Sequence, residues 1–135
     1  MSKKKILIVE DDSDVRLGYQ VLLRAHNYDT AFAADGSSVV SEARKHQPDL
    51  IILDLGLPGG DGFLVLDRLR AHSFLSEVPI IVVSARDLQP NKERALTVGV
   101  KAFIQKPWND DELLATIDEQ LGGSKSALPL PAIVR

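Results

Sequence analysis

The sequence has no cysteine among its 135 residues. Disulfide scaffolds, zinc sites with thiolate ligands and cysteine nucleophiles are therefore excluded. Aromatic residues make up only 5% of the chain, and no apolar run approaches the ~20 residues that cross a membrane. The net charge of −3 offers no general attraction to nucleic acid. We therefore expect no direct nucleic-acid binding by this domain and no membrane association.

The length is that of one domain of ordinary size, with a hydrophobic fraction of 44% and a charged fraction of 26% that are typical of globular proteins. The start Met-Ser-Lys-Lys-Lys leads into an apolar run too short for a secretory signal, so we expect a cytoplasmic location. We interpret residues 1–121 as the folded domain. Residues 122–135 contain glycine, serine and proline without a regular period, which indicates a flexible tail or linker, with docking on a partner as the alternative.

Short aliphatic runs alternate with amphipathic segments along the whole chain. Three of the runs are too short for free-standing helices and are unbroken by polar residues, as is typical of parallel strands buried on both faces: Ile6–Val9, Leu50–Leu53 and Ile80–Val83. Five strand-helix repeats predict an α/β fold, a single doubly wound parallel sheet with helices on both faces. The predicted strands are Ile6–Val9, Tyr28–Ala34, Leu50–Leu53, Ile80–Val83 and Val100–Ile104.

Several residues mark where the predicted helices begin and end. Ser13 is predicted to cap the first helix, and Pro90 to open the fourth, whose end fits a left-handed Gly99. Asn109 with Glu112 three residues later predicts a capping pair for the last helix.

Polar residues follow the buried strands at their carboxyl ends: Glu10 and Asp11, Asp54, Ser84 and Lys106. In a parallel sheet these ends share one edge, which is where open α/β sheets bind their ligands. Three crowded carboxylates raise each other's pKa unless a cation neutralises them, and hard oxygen ligands suit magnesium. The pattern therefore predicts a magnesium site at this edge.

Asp54 precedes a loop rich in turn formers, from Gly56 to Gly62, which leaves space around its carboxylate. Lys106 supplies a point charge suited to a phosphoryl oxygen, and the Ser84 hydroxyl can donate to another. The central position of Asp54 then favours the role of nucleophile, taking a phosphoryl group as an acyl phosphate.

This set of residues resembles the receiver domain of two-component response regulators. The resemblance covers residues 4–121 and depends on the joint spacing of Asp11, Asp54, Ser84 and Lys106, with the Lys106-Pro107 and Leu57-Pro58 pairs in place. It implies a flavodoxin-like (βα)5 sheet with strand order 2-1-3-4-5.

The family likeness also implies roles for the acids. Asp54 is implied to be the phosphoacceptor and to bind Mg2+ directly together with Asp11. Glu10 is implied to act through a water, and the Gly56 backbone carbonyl to complete the protein ligands.

In the family, Lys106 pairs with the phosphoryl group and its bond to Pro107 is cis. Ser84 moves toward the phosphoryl group and Phe103 turns inward behind it, which remodels the face made by the fourth helix, fifth strand and fifth helix. Phe103 lacks the tyrosine hydroxyl found in many members, so packing must drive this rotation. Lys101 stands where the subfamily with winged-helix outputs usually has an acid, which argues against that subfamily's charged dimer interface.

The implied phosphodonor is a sensor histidine kinase or a histidine phosphotransfer protein, and the kinase is expected to contact the first helix. Other partners are expected on the face made by the fourth helix, fifth strand and fifth helix. Downstream, the implied partner is an effector protein or an output domain beyond this sequence. The domain is then enzyme-like only in promoting its own phosphorylation and possible dephosphorylation.

Three rival functions stay open at this point. The first is a receiver-like scaffold that is not phosphorylated. The second is an aspartyl-phosphate hydrolase, although those enzymes need an acid where Gly56 stands. The third is a flavodoxin-like electron carrier, although the acids after the first strand would repel a phosphate. Taken singly, Ser84 can also cap a turn, Phe103 can be core, and Trp108 is expected to be a partly buried packing residue.

Overall fold

The computed structural model describes residues 3–56, 62–85, 88–97 and 99–122. In this part of the chain, strands and helices alternate regularly from end to end. The elements are β1 (Lys5–Val9), α1 (Ser13–Ala25), β2 (Asp29–Ala33), α2 (Val39–His46), β3 (Leu50–Leu53), α3 (Gly62–Ala71), β4 (Ile80–Ser84), α4 (Leu88–Thr97), β5 (Ala102–Gln105) and α5 (Asp110–Gln120), with short 3-10 turns at Gly36–Ser38 and Ser73–Leu75.

The five strands form one parallel sheet in the order β2-β1-β3-β4-β5, which confirms the predicted doubly wound, flavodoxin-like fold. The register pairs Val9 with Leu53 and Leu53 with Val82, so the three central strands end almost level. Their carboxyl ends therefore form one edge, as a parallel sheet requires.

Both faces of the sheet are covered by helices. One face packs against α1 and α5, with Tyr19, Leu23, Leu113 and Ile117 in its core. The other packs against α2, α3 and α4, whose buried side chains include Val39, Leu66 and Ala95. Burial on both faces explains why the three central strands, β1, β3 and β4, are aliphatic without alternation. None of the helices in the described residues has the length and hydrophobicity needed to cross a lipid bilayer.

The predicted element boundaries are right to within two residues, with physical reasons for the differences. The cap of α1 is Asp12 rather than Ser13, because Asp12 is extended and its carboxylate accepts from the Asp14 and Val15 N–H groups. α4 begins at Leu88, since proline is tolerated in a first helical turn. Asn109 does cap α5, and Gly99 is left-handed as predicted, with φ 95°.

Some predictions fall outside the described residues. These are the Leu57-Pro58 pair, most of the glycine-rich loop after Gly56, and the tail from residue 123 onward. The assignment of residues 122–135 as a tail or linker therefore stays a prediction.

The two helical residues Gly62 and Gly18 offer a matched test of packing. A Cβ on Gly62 would lie 2.4 Å from the Leu55 Cα, whereas a Cβ on Gly18 meets nothing within 4 Å. We expect Gly62→Ala to lower the free energy of unfolding by about 1–3 kcal/mol through overpacking. Gly18→Ala should raise it by about 0.5–1 kcal/mol through helix propensity. Urea denaturation followed by circular dichroism measures both, and equal effects would contradict the close approach of α3 to Leu55.

Candidate functional site

The structure brings the predicted site residues to one edge of the sheet. Glu10, Asp54 and Lys106 each follow directly after β1, β3 and β5, and Ser84 ends β4. Each of the first three is still held by its backbone N–H, which donates to a neighbouring strand. The acceptors are the carbonyl groups of Ala33 for Glu10 (3.0 Å), Val9 for Asp54 (3.2 Å) and Ser84 for Lys106 (3.0 Å). The functional side chains therefore project from the last hydrogen-bonded position of the sheet.

Three carboxylates converge at this edge. Glu10, Asp11 and Asp54 each place a carboxylate oxygen within 4.8 Å of the others. Glu10 and Asp54 are buried, with 2% and 8% of their surface exposed, whereas Asp11 is exposed. The cluster therefore opens to solvent on the Asp11 side.

Lys106 bridges the two buried acids. Its Nζ lies 2.6 Å from Glu10 Oε1 and 3.0 Å from Asp54 Oδ2. Burial raises the pKa of Glu10 above its usual value, against the opposing effect of the Lys106 ammonium. Burial by itself lowers the pKa of Lys106, but its hydrogen bonds and charge interactions with both carboxylates produce a net rise. The ammonium therefore stays charged at neutral pH.

Asp54 uses both of its carboxylate oxygens. Oδ2 faces Lys106, while Oδ1 accepts a hydrogen bond of 2.9 Å from the Gly56 N–H. This bond holds the Gly56 peptide against the Asp54 carboxylate and orients that carboxylate. The predicted role of the Gly56 carbonyl as a metal ligand stays a prediction.

The donor set fits a hard divalent cation. All three converging groups supply oxygen, which Mg2+ prefers. Among the described residues, Lys106 is the one cation paired with these carboxylates, so two of the three negative charges remain uncompensated when all are ionised. A divalent ion balances that charge, and Glu10, Asp11 and Asp54 are the residues that can hold it.

The predicted switch residues lie beside this site on neighbouring strands. Ser84 is fully buried at the end of β4, and Phe103 on β5 is half-buried against the core shared by α2, α3 and α4. Phe103 pairs with Val82 in the sheet. The Lys106–Pro107 bond is cis, as predicted. Movement of Ser84 and Phe103 stays a prediction.

Two features of the site were missed from the sequence. The Arg16 guanidinium donates to the backbone carbonyls of Glu10 and Asp11. Trp108, half-buried as predicted, stacks on Tyr19 with ring centroids 4.2 Å apart. Burial raises the pKa of Tyr19, and the charges of Glu10 and Asp54 add to the rise, so this phenol is neutral. No spacing rule connects residues this far apart in the chain.

Comparison with known proteins agrees with this geometry. Residues 6–118 match the profile of the response regulator receiver domain. The chain is 37% identical to the transcriptional regulatory protein YxdJ of Bacillus subtilis, over 87% of this chain and 50% of that protein. It is 34% identical to the DNA-binding response regulator MtrA of Mycobacterium leprae, over 88% of this chain and 52% of that protein. The chain thus spans about half the length of these curated relatives.

A solved structure is also similar. The receiver domain of the sensor histidine kinase PA1611 from Pseudomonas aeruginosa PAO1 superposes with a TM-score of 0.81 at 30% identity, covering 90% of this chain and 99% of that one. That structure has a magnesium ion coordinated in its active-site cleft. This chain belongs to the response regulator receiver domain family.

The Lys106 bridge predicts a measurable coupling with Glu10. In the absence of divalent cations, we expect Lys106→Met to lower the free energy of unfolding by about 1.5–3 kcal/mol, because it leaves a buried carboxylate without its charged partner. Adding Glu10→Gln should recover part of this loss, since one buried carboxylate, that of Asp54, then remains unpaired instead of two. Urea denaturation of both single variants and the double variant gives the coupling energy.

The control is Lys45→Met, which removes an exposed lysine of α2. It should change the free energy of unfolding by no more than about 0.5 kcal/mol. A Lys106→Met variant as stable as Lys45→Met, with no coupling to Glu10, would show that the bridge does not stabilise the fold.

Proposed function

We propose that this domain is a phosphorylatable response regulator receiver in which Asp54 accepts a phosphoryl group from a phosphohistidine donor. The observation that carries the proposal is the bridge from Lys106 to Glu10 and Asp54 beside three converging carboxylates. It combines a positioned carboxylate, a cation for phosphoryl oxygens and an oxygen-rich cation site. Few sites at a strand edge need all three.

The transfer step uses groups already in place. An Asp54 carboxylate oxygen attacks the phosphorus of the donor, the new O–P bond forms, and the N–P bond to the donor imidazole breaks with its electron pair returning to that nitrogen. Lys106, already in contact with Asp54 Oδ2, can turn its ammonium to a phosphoryl oxygen. The Gly56 N–H keeps the other Asp54 oxygen oriented. The Ser84 hydroxyl is the proposed donor to a further phosphoryl oxygen.

Mg2+ is the proposed cofactor, held by Asp11 and Asp54 directly, by Glu10 through water and by the Gly56 carbonyl. When bound, it would stabilise negative charge that develops on the transferring phosphoryl group. The charge left over after pairing with Lys106 supports this choice, as does the magnesium ion in the PA1611 receiver.

We place the phosphodonor, a sensor histidine kinase or phosphotransfer protein, on the outer face of α1. Leu17 and Val21 on that face are 57% and 63% exposed. Beside them, a groove of about 600 Å3 leads toward Lys106 and is lined by Val15, Gly18, Ala85, Pro107 and Trp108 among others. An apolar donor surface seated there would bring its histidine to the site. We place this exchange in the cytoplasm.

The proposed output is a change in the face formed by α4, β5 and α5. Lys106 follows β5 directly, Phe103 lies on β5, and Ser84 pairs with Gln105 of the same strand. A displacement of Lys106 or Ser84 can therefore shift β5 and change the packing of Phe103. The face would then act on an effector protein or on an output domain. The similarity to MtrA, which is named as a DNA-binding response regulator, supports an output domain that binds DNA. The Lys101 argument against a charged dimer interface stays a prediction.

Phosphorylation is tested by adding acetyl phosphate with and without Mg2+ and measuring intact mass. We expect a single phosphate-sized adduct that requires Mg2+ and is absent in Asp54→Asn. Asp12→Asn is the matched control, because it changes an adjacent acid that caps α1 and asparagine caps equally well.

Asp12→Asn should form the adduct as wild type does. An adduct that persists in Asp54→Asn would place the acceptor elsewhere. No adduct in wild type with several phosphodonors would favour the rival function, a receiver-like scaffold.

The switch is tested by hydrogen exchange with and without phosphorylation. We expect exchange to change in α4, β5 and α5, which form the proposed output face, and to stay constant in α2, which packs on β1 and β2 toward the opposite edge of the sheet. Most of the change should disappear in Phe103→Leu. Phe32→Leu, which alters a half-buried phenylalanine on the opposite edge strand β2, should keep it. Equal responses of the two variants would exclude a special role for Phe103.

A further inference from the structure

We propose that Arg16 is a positioning residue that holds the Glu10–Asp11 turn in the conformation that binds the metal ion. The inference rests on the proposed function, because it assigns a residue to the same site. Within the described part of the chain, the Arg16 guanidinium forms no ion pair with the carboxylates of Glu10, Asp11 or Asp54. It acts on the backbone that carries two of the three acids.

The contact is specific. Arg16 Nη1 donates to the Glu10 carbonyl at 2.9 Å and to the Asp11 carbonyl at 3.1 Å. One nitrogen therefore joins two consecutive peptide groups of the connection between β1 and α1. The Arg16 side chain is half-buried, so it covers this turn rather than extending freely into water.

The backbone conformation after β1 explains why the Glu10 and Asp11 carbonyls need the hydrogen bonds from Arg16. Consecutive side chains of an extended strand point to opposite faces, yet Glu10 and Asp11 place carboxylate oxygens within 4.8 Å of each other and of Asp54. The backbone must therefore leave the extended conformation directly after β1. Its carbonyls then lose partners in the sheet and need others, and Arg16 supplies a donor to both.

Two further contacts fix the same segment from its other end. The Asp12 N–H donates to Glu10 Oε2 at 3.2 Å, and the Arg16 N–H donates to the Asp12 carbonyl at 2.9 Å. The first turn of α1 and the acidic turn are thus joined through Arg16 twice, by backbone and by side chain. Loss of the side chain would release the acidic turn without removing the helix.

Lysine is a poor substitute at this position. Arginine presents its donors in a rigid planar fork, while the lysine ammonium is a compact charge on a flexible stem. We therefore expect Arg16→Lys to retain part of the effect and Arg16→Ala to retain none. A role of the positive charge alone would act in the opposite direction, because a cation beside the site repels a divalent ion. Arg16→Ala would then bind the ion more tightly than wild type, and Arg16→Lys would bind it as wild type does.

The test measures binding of Mn2+, as a paramagnetic substitute for Mg2+, from the electron paramagnetic resonance signal of the free ion. In Arg16→Ala the dissociation constant should rise about 10-fold, the lower end of the range for groups that orient metal ligands. Arg16→Lys should fall between Arg16→Ala and wild type. The matched control is Arg24→Ala, which removes an exposed arginine from the last turn of the same helix and should bind as wild type.

A second readout is adduct formation from acetyl phosphate as a function of Mg2+ concentration. In Arg16→Ala the half-saturating Mg2+ concentration should rise by the same factor as the Mn2+ dissociation constant, while the rate at saturating Mg2+ is retained. A role in folding alone would leave the half-saturating concentration unchanged. Urea denaturation checks that each variant is folded. If Arg16→Ala does not fold, the Mg2+ and Mn2+ affinities of Arg16→Lys are used to test the positioning role.

The results of these experiments distinguish failure of the Arg16 positioning role from failure of the proposed receiver function. If wild type binds Mn2+ and Arg16→Ala binds it as tightly as Arg24→Ala, the positioning role is overturned and the proposed function stands. Tighter Mn2+ binding by Arg16→Ala than by wild type would also overturn it, because the loss of a repelling positive charge would then explain the change. If wild type binds no metal ion and forms no adduct, the proposed function fails and this inference fails with it.

Discussion

Charge compensation at the carboxyl edge of the sheet is the constraint on which the rest of the site depends. Glu10 and Asp54 are buried acids, and a buried carboxylate without a partner is strongly destabilising. Lys106 contacts both, at 2.6 Å and 3.0 Å, and so joins β5 to the acids that follow β1 and β3. The compensation is incomplete, since three carboxylates meet one ammonium. The edge is therefore stable enough to fold and still attractive to a further cation.

The sheet makes this arrangement possible because it holds each functional residue at its last regular hydrogen bond. Glu10, Asp54 and Lys106 are each anchored by a backbone N–H to the neighbouring strand, while the next residues are free to form loops. A site built this way takes its precision from the buried strands. The central strand β3 can in turn be wholly aliphatic, and β1 and β4 nearly so, because the polar site residues stand at or just beyond the carboxyl ends of these strands.

The fold and the membership of the site followed from local patterns in the sequence. Leu50–Leu53 and Ile80–Val83 predicted buried strands because continuous aliphatic runs have few alternatives, and parallel strands must share a carboxyl edge. The contacts within the site did not follow in the same way. Lys106 pairs with Glu10, and Trp108 stacks on Tyr19. The two residues of each pair are far apart in the sequence, and the periodicity of a sequence carries no information on such long-range contacts. The Asp12 cap was missed because Asp12 and Ser13 are both good caps and only the backbone angles distinguish them.

The two cations of the site differ in what they contact, and this difference bears on how the site can change. Lys106 contacts carboxylate oxygens, which are the atoms a metal ion or phosphoryl group would also use, so its position has to respond to either. Arg16 contacts backbone carbonyls, which leaves it in place when the carboxylates take a new partner. Arg16 also lies next to Leu17 on α1, whose outer face is the proposed seat of the phosphodonor. A donor that packs on α1 would therefore contact the same helix whose Arg16 holds the backbone of Glu10 and Asp11, so the proposed docking and the proposed metal binding would depend on one helix.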